Sequence, residues 1–415
     1  MFWLFLSQVL SADRACRPIV RNFLGWLALQ GRGASGRTAG YCKARARLRQ
    51  ADLDLIHRQL ADRIRSAPRG ERLWLGRPVK IVDGSGLSMP DTPSLQKLYP
   101  QPKGAKPGCS FPVMRVVALF CLGTGVLIGL AKGSLQVGER ALFRSLWGLL
   151  EEGDVVLADR GFCGYAEFYF LLQRGVDCVM RAQTHRTVGR IPLQSLGPGD
   201  RLVLWLKSKP GPRWPDKAAW NALPEAIRLR EIAFRVGVKG FRVKAITVVT
   251  TLLDPIAFPP EAFADLYRRR WQAELFLRDI KTTMGMDILR CKSPAMIHKE
   301  LTMHLIAYNL VRLTMLEAAD AHAASVERIS FKGTLATLRE WAPLFLSPSP
   351  RNCATLWEFL LRCLAADPLR PAKSLLPPAG SRFAPKSLTP SRWNSRGSPF
   401  SSGAGREASE LVNLV

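Results

Sequence analysis

Two apolar periodicities run along this chain, and together they predict a mixed α/β fold. Up to about residue 70, and again over 296–317, apolar residues are spaced as in helices that bury one face. Short β-branched or apolar runs at 78–82 and 155–158 instead predict strands. From 76 to 182 the predicted order is strand, loop, hairpin, helix, strand, helix and strand, which suits a mixed sheet with flanking helices.

The next part of the chain has a different pattern. Residues 183–252 show alternating polar and apolar runs around a segment rich in Pro and Trp, which predicts a β-rich insertion. Three tryptophans of this insertion, Trp205, Trp214 and Trp220, are open to two interpretations, base stacking or burial in a core. From about residue 366 the composition shifts to Pro, Ser, Gly and Arg, and we expect disorder over 366–415.

Two apolar stretches resemble membrane or export signals. Residues 1–10 lack a basic n-region, so we interpret them as the start of a core helix rather than a signal peptide. Residues 112–131 have about the length of a membrane span. Arg115 and the sequence Gly123-Thr124-Gly125 interrupt this stretch, which favours a buried β-hairpin. We therefore expect no membrane association and a cytoplasmic, nucleoid-associated bacterial protein.

The charge balance indicates a polyanionic partner. Sixty Lys and Arg against 33 Asp and Glu give a formal net charge of +27. Nucleic acid is the leading partner class. A ribosome-associated or membrane-surface protein is the alternative, but 47% hydrophobic residues suffice for a large core. Basic residues concentrate within 1–70, where a DNA-end-binding module and an ordinary basic surface both remain open.

One predicted helix carries an acid among cations. At about 100° per residue, Tyr267, Arg270, Glu274 and Lys281 fall within an arc of roughly 60°. Such a face could place a metal ligand beside phosphate-binding groups. A solvated charged face is the alternative interpretation.

Two aspartates follow predicted strands. Asp83 comes after the run 78–82 and Asp159 after the run 155–158, and each is followed by a Gly-containing turn. Acids at strand ends can converge with a helix glutamate to hold divalent cations, since Mg²⁺ prefers carboxylate oxygens. Asp before Gly is also ordinary turn chemistry, so both interpretations remain open at this point.

These segments resemble one known family. The order Tyr267, two residues, Arg270, three residues, Glu274, six residues, Lys281 is similar to the signature of DDE transposases of the insertion-sequence-four family. Val82-Asp83-Gly84-Ser85 resembles that family's first aspartate block, and Ala158-Asp159-Arg160-Gly161-Phe162 its second. The resemblance covers roughly residues 1 to 345. Because the family's chains usually begin earlier, we expect the N-terminal region to be incomplete.

The resemblance implies an RNase H-like fold and a two-metal phosphoryl transfer. Asp83, Asp159 and Glu274 would bind two Mg²⁺ or Mn²⁺ ions and carry the catalysis. Tyr267, Arg270, Lys281 and Arg160 would bind DNA phosphates. The substrates would be double-stranded transposon ends and target DNA, and a homodimer is expected on DNA because two ends must meet.

The resulting hypothesis has five regions. They are an incomplete N-terminal helical, DNA-end-binding region (1–70), the first part of an RNase H-like core (76–182), the β-rich insertion (183–252), the catalytic and C-terminal helices (253–345) and the tail (366–415). The function expected is cut-and-paste transposition of an insertion sequence. A catalytically inactive truncated remnant that only binds DNA is one alternative. Another RNase H-like nuclease, acting on Holliday junctions or RNA–DNA hybrids, is the other.

Overall fold

The computed structural model describes residues 1–65, 70–102, 104, 106, 110–183, 189–209, 211–236, 244–345 and 350–369. The chain forms two compact units. Among the described residues, the first combines Met1–Leu149 with the chain from Trp271 to residue 369, and the second is Leu150–Arg270. The predicted disordered tail lies outside the described residues from 370 onward, and the predicted boundaries of the five regions stay a prediction.

Helices at both ends of the described chain flank a central part that contains all its strands. The elements are α1 (Phe2–Leu10), α2 (Cys16–Leu29), α3 (Thr38–Ala46), α4 (Gln50–Arg65), β1 (Val79–Ser88), α5 (Pro93–Leu98), β2 (Val113–Cys121), β3 (Leu127–Ser134), α6 (Glu139–Arg144), β4 (Val155–Ala158), α7 (Tyr165–Leu172), β5 (Asp177–Arg181), β6 (Arg190–Gly197), β7 (Asp200–Leu206), α8 (Lys217–Ala222), β8 (Ala226–Val236), β9 (Lys244–Thr250), α9 (Pro260–Arg269), α10 (Trp271–Arg278), α11 (Pro294–Ala321), α12 (Phe331–Trp341) and α13 (Pro350–Ala366).

The first unit contains an antiparallel meander, in which β2 pairs with β1 on one side and β3 on the other. The predicted hairpin over 112–131 is thus confirmed as β2 and β3. Gly125 occupies the turn at φ +69°, a left-handed conformation that glycine adopts without a steric penalty. No helix within the described ranges is both long enough and apolar enough to cross a membrane.

The helix α11 fixes this hairpin. Its 28 residues are buried on nearly all sides, which explains a pattern with little amphipathicity. Asn309 makes two 2.9 Å hydrogen bonds to the backbone of Leu127, donating to its carbonyl and accepting from its N–H. Tyr308 donates to the carbonyl of Gly125 at 2.8 Å, and Arg312 to that of Thr124 at 2.6 Å. The predicted packing of this segment against the core is confirmed within the first unit.

The second unit is built on a mixed sheet. Its strands lie in the order β4, β5, β9, β8, β7, β6, with β4 and β5 parallel and the other pairs antiparallel. The strands β6 to β9 are the predicted β-rich insertion. The prediction of a mixed α/β fold with flanking helices, an N-terminal helical region and this insertion is confirmed.

Buried charges tie the insertion strands together. Arg230, fully buried on β8, donates to both carboxylate oxygens of Asp200 on β7, at 2.8 and 2.6 Å. Glu231 accepts from Arg190, Arg201 and the indole N–H of Trp205, the last at 2.9 Å. Trp205 is 1% exposed, so core burial is the interpretation that applies to it.

One predicted helix is shorter than expected. The sequence predicts a helix over 139–151, whereas α6 ends at Arg144 and a 3₁₀ turn follows over Trp147–Leu149. Gly148 lies within this turn, and glycine disfavours a continued α-helix.

Candidate functional site

Asp83 lies inside a strand rather than at its end, which corrects the sequence interpretation. The strand β1 continues to Ser88, and Asp83 pairs with Ala118 in the middle of the ladder with β2. Gly84 was expected to turn the chain, but it pairs with Val117, and Gly86 two residues later pairs with Arg115. Pairing along β2 therefore overrides the local turn preference of glycine.

The two faces of β1 have different neighbours. Successive side chains on a strand point to opposite faces, so Asp83 and Ser85 share a face and Gly84 faces the other way. Lys281 donates from Nζ to Ser85 Oγ at 2.7 Å, which places this ammonium on the Asp83 face. On the Gly84 face, an added Cβ would lie 2.6 Å from Glu139 Oε1. A larger residue at this position would therefore force the end of the flexible Glu139 side chain to move.

Glu274 reaches the same strand through its helix. It lies on α10, which packs against β1 in the first unit. Both Asp83 and Glu274 are half-buried. The first unit thus places two of the three predicted acids on neighbouring elements.

The predicted continuous helix face is wrong in one respect. A single α-helix was expected from Tyr267 to Lys281, whereas α9 ends at Arg269, α10 spans Trp271–Arg278, and a π-helical turn follows over Asp279–Thr283. A π turn rotates the chain less per residue than an α-helix, so the 100° spacing does not extend to Lys281. Such turns are frequent at functional sites.

The chain after the π turn returns to β1. Asp287 accepts from the N–H of Ser88 at 2.9 Å through its backbone carbonyl, and the N–H of Leu289 donates to the Ser88 carbonyl at 3.0 Å. These two bonds hold the end of the segment after Lys281, and the packing of α10 on the same strand holds the end before it. The position of Lys281 beside Ser85 is therefore set by backbone as well as by its side chain.

Asp159 follows a strand directly, as predicted. Its strand β4 is completely buried, and the N–H of Phe162 closes a turn on the Asp159 carbonyl at 3.0 Å. The half-buried carboxylate accepts a hydrogen bond from the hydroxyl of Tyr267 at 3.2 Å within the second unit. Arg160, the next residue, is exposed.

Tyr267 is held in place by its ring. The residue is 6% exposed, and its ring packs edge-to-face on Phe234 at a centroid distance of 6.3 Å. Arg270 lies over the same ring, with its guanidinium carbon 5.9 Å from the centroid. Burial, reinforced by the charge of Asp159, raises the pKa of Tyr267 to about 12. Its hydroxyl thus remains protonated, and a hydrogen-bond donor, at neutral pH.

Asp279 lies near the signature but is not one of the three predicted acids, and its environment is different. Burial raises the pKa of Asp279 to about 6, against the opposing charges of Arg312 and Arg278. Asp279 begins the π turn and lines a cavity of about 320 Å³ in the first unit. No functional role was predicted from the sequence for Asp279, Ser85 or Glu139, because none of the three has a distinctive spacing.

The predicted metal ligands are suited to a hard cation by chemistry. All three are carboxylates that are neither fully buried nor fully exposed, and oxygen donors are what Mg²⁺ and Mn²⁺ prefer. Asp83 and Glu274 belong to the first unit and Asp159 to the second. Among the residues that the structure describes, no group of three or more His, Cys, Asp or Glu is arranged to hold a metal ion. A shared site for the three acids stays a prediction.

The chain is similar to known transposases. The family model described as "Transposase DDE domain" matches residues 74–310, more than half of the chain. The transposase InsG for insertion sequence element IS4 of Escherichia coli K12 is 28% identical over 249 residues, which are 60% of this chain and 54% of that protein. The putative transposase InsZ of the same strain is 27% identical over 136 residues, 32% of this chain and 46% of that protein.

The chain spans about half the length of these curated relatives. A solved structure, the cryo-EM structure of piggyBac transposase synaptic complex with hairpin DNA, is similar with a TM-score of 0.39 at 11% identity, over 68% of this chain and 57% of that one. The matched segment 74–310 contains Asp83, Asp159 and the whole Tyr267 to Lys281 signature. The chain therefore belongs to the transposase DDE domain family, and within it to the type of insertion sequence IS4.

Proposed function

We propose that this protein binds the inverted-repeat ends of an insertion sequence and catalyses metal-dependent cleavage and strand transfer of DNA. The family and the net charge of +27 support a polyanionic DNA substrate. Cut-and-paste transposition requires two ends to be held together. We therefore also propose that the protein acts as a homodimer on DNA.

One observation carries the proposal: two residues of the signature contact the neighbourhood of the two predicted aspartates. The Tyr267 hydroxyl donates to Asp159, and the Lys281 ammonium donates to Ser85 on the Asp83 face of β1. A solvated charged helix face would give neither contact. The signature spacing thus corresponds to a set of contacts around acids that lie far away in the sequence.

The side chains around the acids would either orient a carboxylate or bind DNA phosphates. Tyr267 orients the Asp159 carboxylate, and its raised pKa keeps it a donor over the whole neutral range. Lys281 neutralises charge near Asp83 and contributes an ammonium for the scissile phosphate. Arg270 and Arg160 are proposed to bind neighbouring phosphates, where a planar guanidinium can donate two parallel hydrogen bonds.

The acids Asp83, Asp159 and Glu274 would hold two Mg²⁺ or Mn²⁺ ions. When bound, such ions activate the attacking hydroxyl and stabilise the leaving oxygen of a phosphoryl transfer. The half-burial of the three carboxylates leaves them accessible to DNA and metal while it limits competition from bulk water.

The test is Mg²⁺-dependent cleavage of a duplex that carries the inverted repeats flanking the gene. Asp159→Ala and Glu274→Gln should each abolish cleavage while the protein still binds the duplex. Glu340→Gln is the matched control for Glu274→Gln, because Glu340 is an exposed glutamate on α12 in the same unit. It should cleave at the parent rate.

The outcomes distinguish an active transposase from an inactive remnant that only binds DNA. Cleavage by the parent and by Glu340→Gln, leaving a 3′-hydroxyl, supports the proposal and assigns Asp159 and Glu274 to catalysis. Binding without cleavage by the parent, with metal and both ends present, would instead identify an inactive remnant that only binds DNA. Cleavage that persists in Asp159→Ala would refute the assigned site.

A further inference from the structure

A small cavity lies in the first unit, away from the acids discussed above. It has a volume of about 170 Å³, and α1, the loop before α2, α3, the chain after the π turn and α11 all contribute to its lining. Its polar lining residues are Gln8, Arg14, Arg45, Arg290, Glu300 and His304. A cavity of this size exceeds the share of a single water molecule, which is about 30 Å³.

Cations dominate the lining. Three arginines, Arg14, Arg45 and Arg290, face one carboxylate, Glu300. That carboxylate accepts from the backbone N–H groups of Arg290 and Cys291, at 2.8 to 3.0 Å, so part of its charge is already compensated. Arg14 and Arg290 line the same cavity, and burial together with the charge of Arg290 lowers the pKa of Arg14. Such a pair is stabilised by an anion between or beside the guanidiniums.

Donor capacity remains on these arginines. Arg14 donates to the carbonyl of Gly285 and Arg290 to that of Asp13, each through one nitrogen. A guanidinium carries five N–H donors. The Nε of Arg45 is buried, and no partner contacts it within the described part of the chain. The cavity therefore presents several N–H groups to whatever it contains.

The N-terminus of α2 also contributes to this lining. Its N-cap residue Ala15 provides no side-chain hydrogen bond to the first turn, and both Ala15 and Cys16 line the cavity. Pro18 has no N–H, but the N–H groups of Cys16 and Arg17 have no acceptor within this 14-residue helix, and its positive dipole end also favours an anion.

His304 adds a selective element. It is 1% exposed and lines the cavity, and its Nε2 has no partner among the residues described. Its Nδ1 lies 2.9 Å from the carbonyl of Glu300, and a carbonyl can only accept, so Nδ1 carries the proton. Nε2 is then an acceptor, since burial lowers the pKa of this imidazole and keeps it neutral.

We propose that this cavity is a binding site for a protonated phosphate group, with inorganic phosphate as the best-fitting form. The phosphate oxygens would accept from Arg14, Arg290, Arg45 and the N-terminus of α2. The remaining P–OH would donate to Nε2 of His304. A fully deprotonated oxyanion such as sulfate has no proton to donate, so one of its oxygen lone pairs would face the lone pair of Nε2.

A phosphate monoester at a DNA end has the same chemistry. Its second pKa is near 6, so at pH 7 most of it has lost the proton that Nε2 requires. Inorganic phosphate retains at least one P–OH at that pH. The site is independent of the proposed transposition chemistry, because phosphate binding requires neither metal nor cleavage.

The test is isothermal titration calorimetry of the full chain at pH 7 with inorganic phosphate and, at equal ionic strength, with sulfate. Phosphate should bind with a dissociation constant of about 1 mM or below, and sulfate at least about tenfold more weakly. Arg290→Gln, at an exposed residue, should weaken phosphate binding by about tenfold or more. Arg21→Gln, which removes the same charge from an exposed position on α2, should leave it unchanged.

A second arm separates free phosphate from a DNA end. Duplexes with a 5′-phosphate and with a 5′-hydroxyl are compared by anisotropy at pH 7 and at about pH 6. A preference for the phosphorylated end that grows at the lower pH, and that Arg290→Gln removes, would assign the site to DNA ends. Equal binding of both duplexes, together with the calorimetric signal, would assign it to free phosphate.

Two results would overturn the proposal. One is the absence of phosphate binding by the parent protein up to about 10 mM, which would leave the cavity to water. The other is a nonspecific charge effect, which would appear either as equal binding of phosphate and sulfate or as an equal loss of binding in Arg290→Gln and Arg21→Gln. The parent titration decides the question even if a variant fails to fold.

Discussion

Removing the hydroxyl of Tyr267 tests the candidate site with little change in packing. Tyr267→Phe retains the ring that packs on Phe234 and below Arg270, and it deletes only the hydrogen bond to Asp159. A hydrogen bond to a charged group contributes roughly 1.5–3 kcal/mol. At 3.2 Å this bond is at the long end of the usual range, so we take about 1.5 kcal/mol.

That energy sets the expected rate. If the bond serves to orient Asp159 in the transition state, about 1.4 kcal/mol corresponds to a tenfold slower cleavage. The assay is single-turnover cleavage of the inverted-repeat duplex in Mg²⁺, with protein in excess so that binding does not limit the rate. Denaturant unfolding of the same protein measures the accompanying loss of stability, which should be of similar size.

The matched control is Tyr165→Phe. Tyr165 is equally buried in the same unit, at 6% exposure, and its hydroxyl donates to the carbonyl of Pro224 at 2.6 Å. This variant should lose about 1 kcal/mol of stability and cleave at the parent rate. Unchanged cleavage by Tyr267→Phe, or an equal loss of rate in Tyr165→Phe, would show that the bond to Asp159 does not orient a catalytic carboxylate.

Three further predictions concern charge. Asp200→Asn should destabilise the second unit by about 3–5 kcal/mol in denaturant unfolding, since it leaves the fully buried Arg230 without its ion partner. The pKa of Asp279 is about 6 in the folded protein and 3.8 in the free side chain. Between these pH values the folded state binds more protons than the unfolded state, so the free energy of unfolding falls as the pH rises through this window. Asp279→Asn should flatten this dependence and stabilise the protein at pH 7 by at most about 3 kcal/mol, less after solvent screening. Lys281→Gln should slow cleavage at least about tenfold and reduce the salt slope of DNA binding by about one phosphate contact; Ser85→Ala, which removes only its positioning partner, should have a smaller effect on the rate.

Local patterns predicted the elements of the site better than their exact geometry. The strand before Asp159 and the helical character of the Tyr267 segment follow from short-range apolar and charge patterns, and both are present. The extension of β1 past Asp83 depends on pairing with β2, which lies some thirty residues later. The predicted turn after Asp83 rested on the local conformational preference of glycine, which does not include that pairing.

The π turn is a similar case. Apolar residues near Asp279 fit an α-helix equally well, and the π turn is followed by a return of the chain to β1 at Ser88, a long-range contact that local patterns do not include. The position of β9 between β5 and β8 in the sheet likewise depends on pairing between strands that are far apart in the sequence. Buried ion pairs such as Arg230 with Asp200 were not predicted, because their partners are thirty residues apart and each residue alone is typical of a surface.

The discontinuity of the first unit has a consequence for the order of folding during synthesis. Within the described part of the chain, the second unit is one continuous stretch, Leu150–Arg270, and domains generally fold as units once their chain has left the ribosome. The strand with Asp83 is made early, but the helix with Glu274 and the long helix α11 that fixes the β2–β3 hairpin are made only after the second unit. Asp83 and Asp159 are therefore synthesised before Glu274, so a chain that ends before Glu274 lacks one of the three proposed metal ligands.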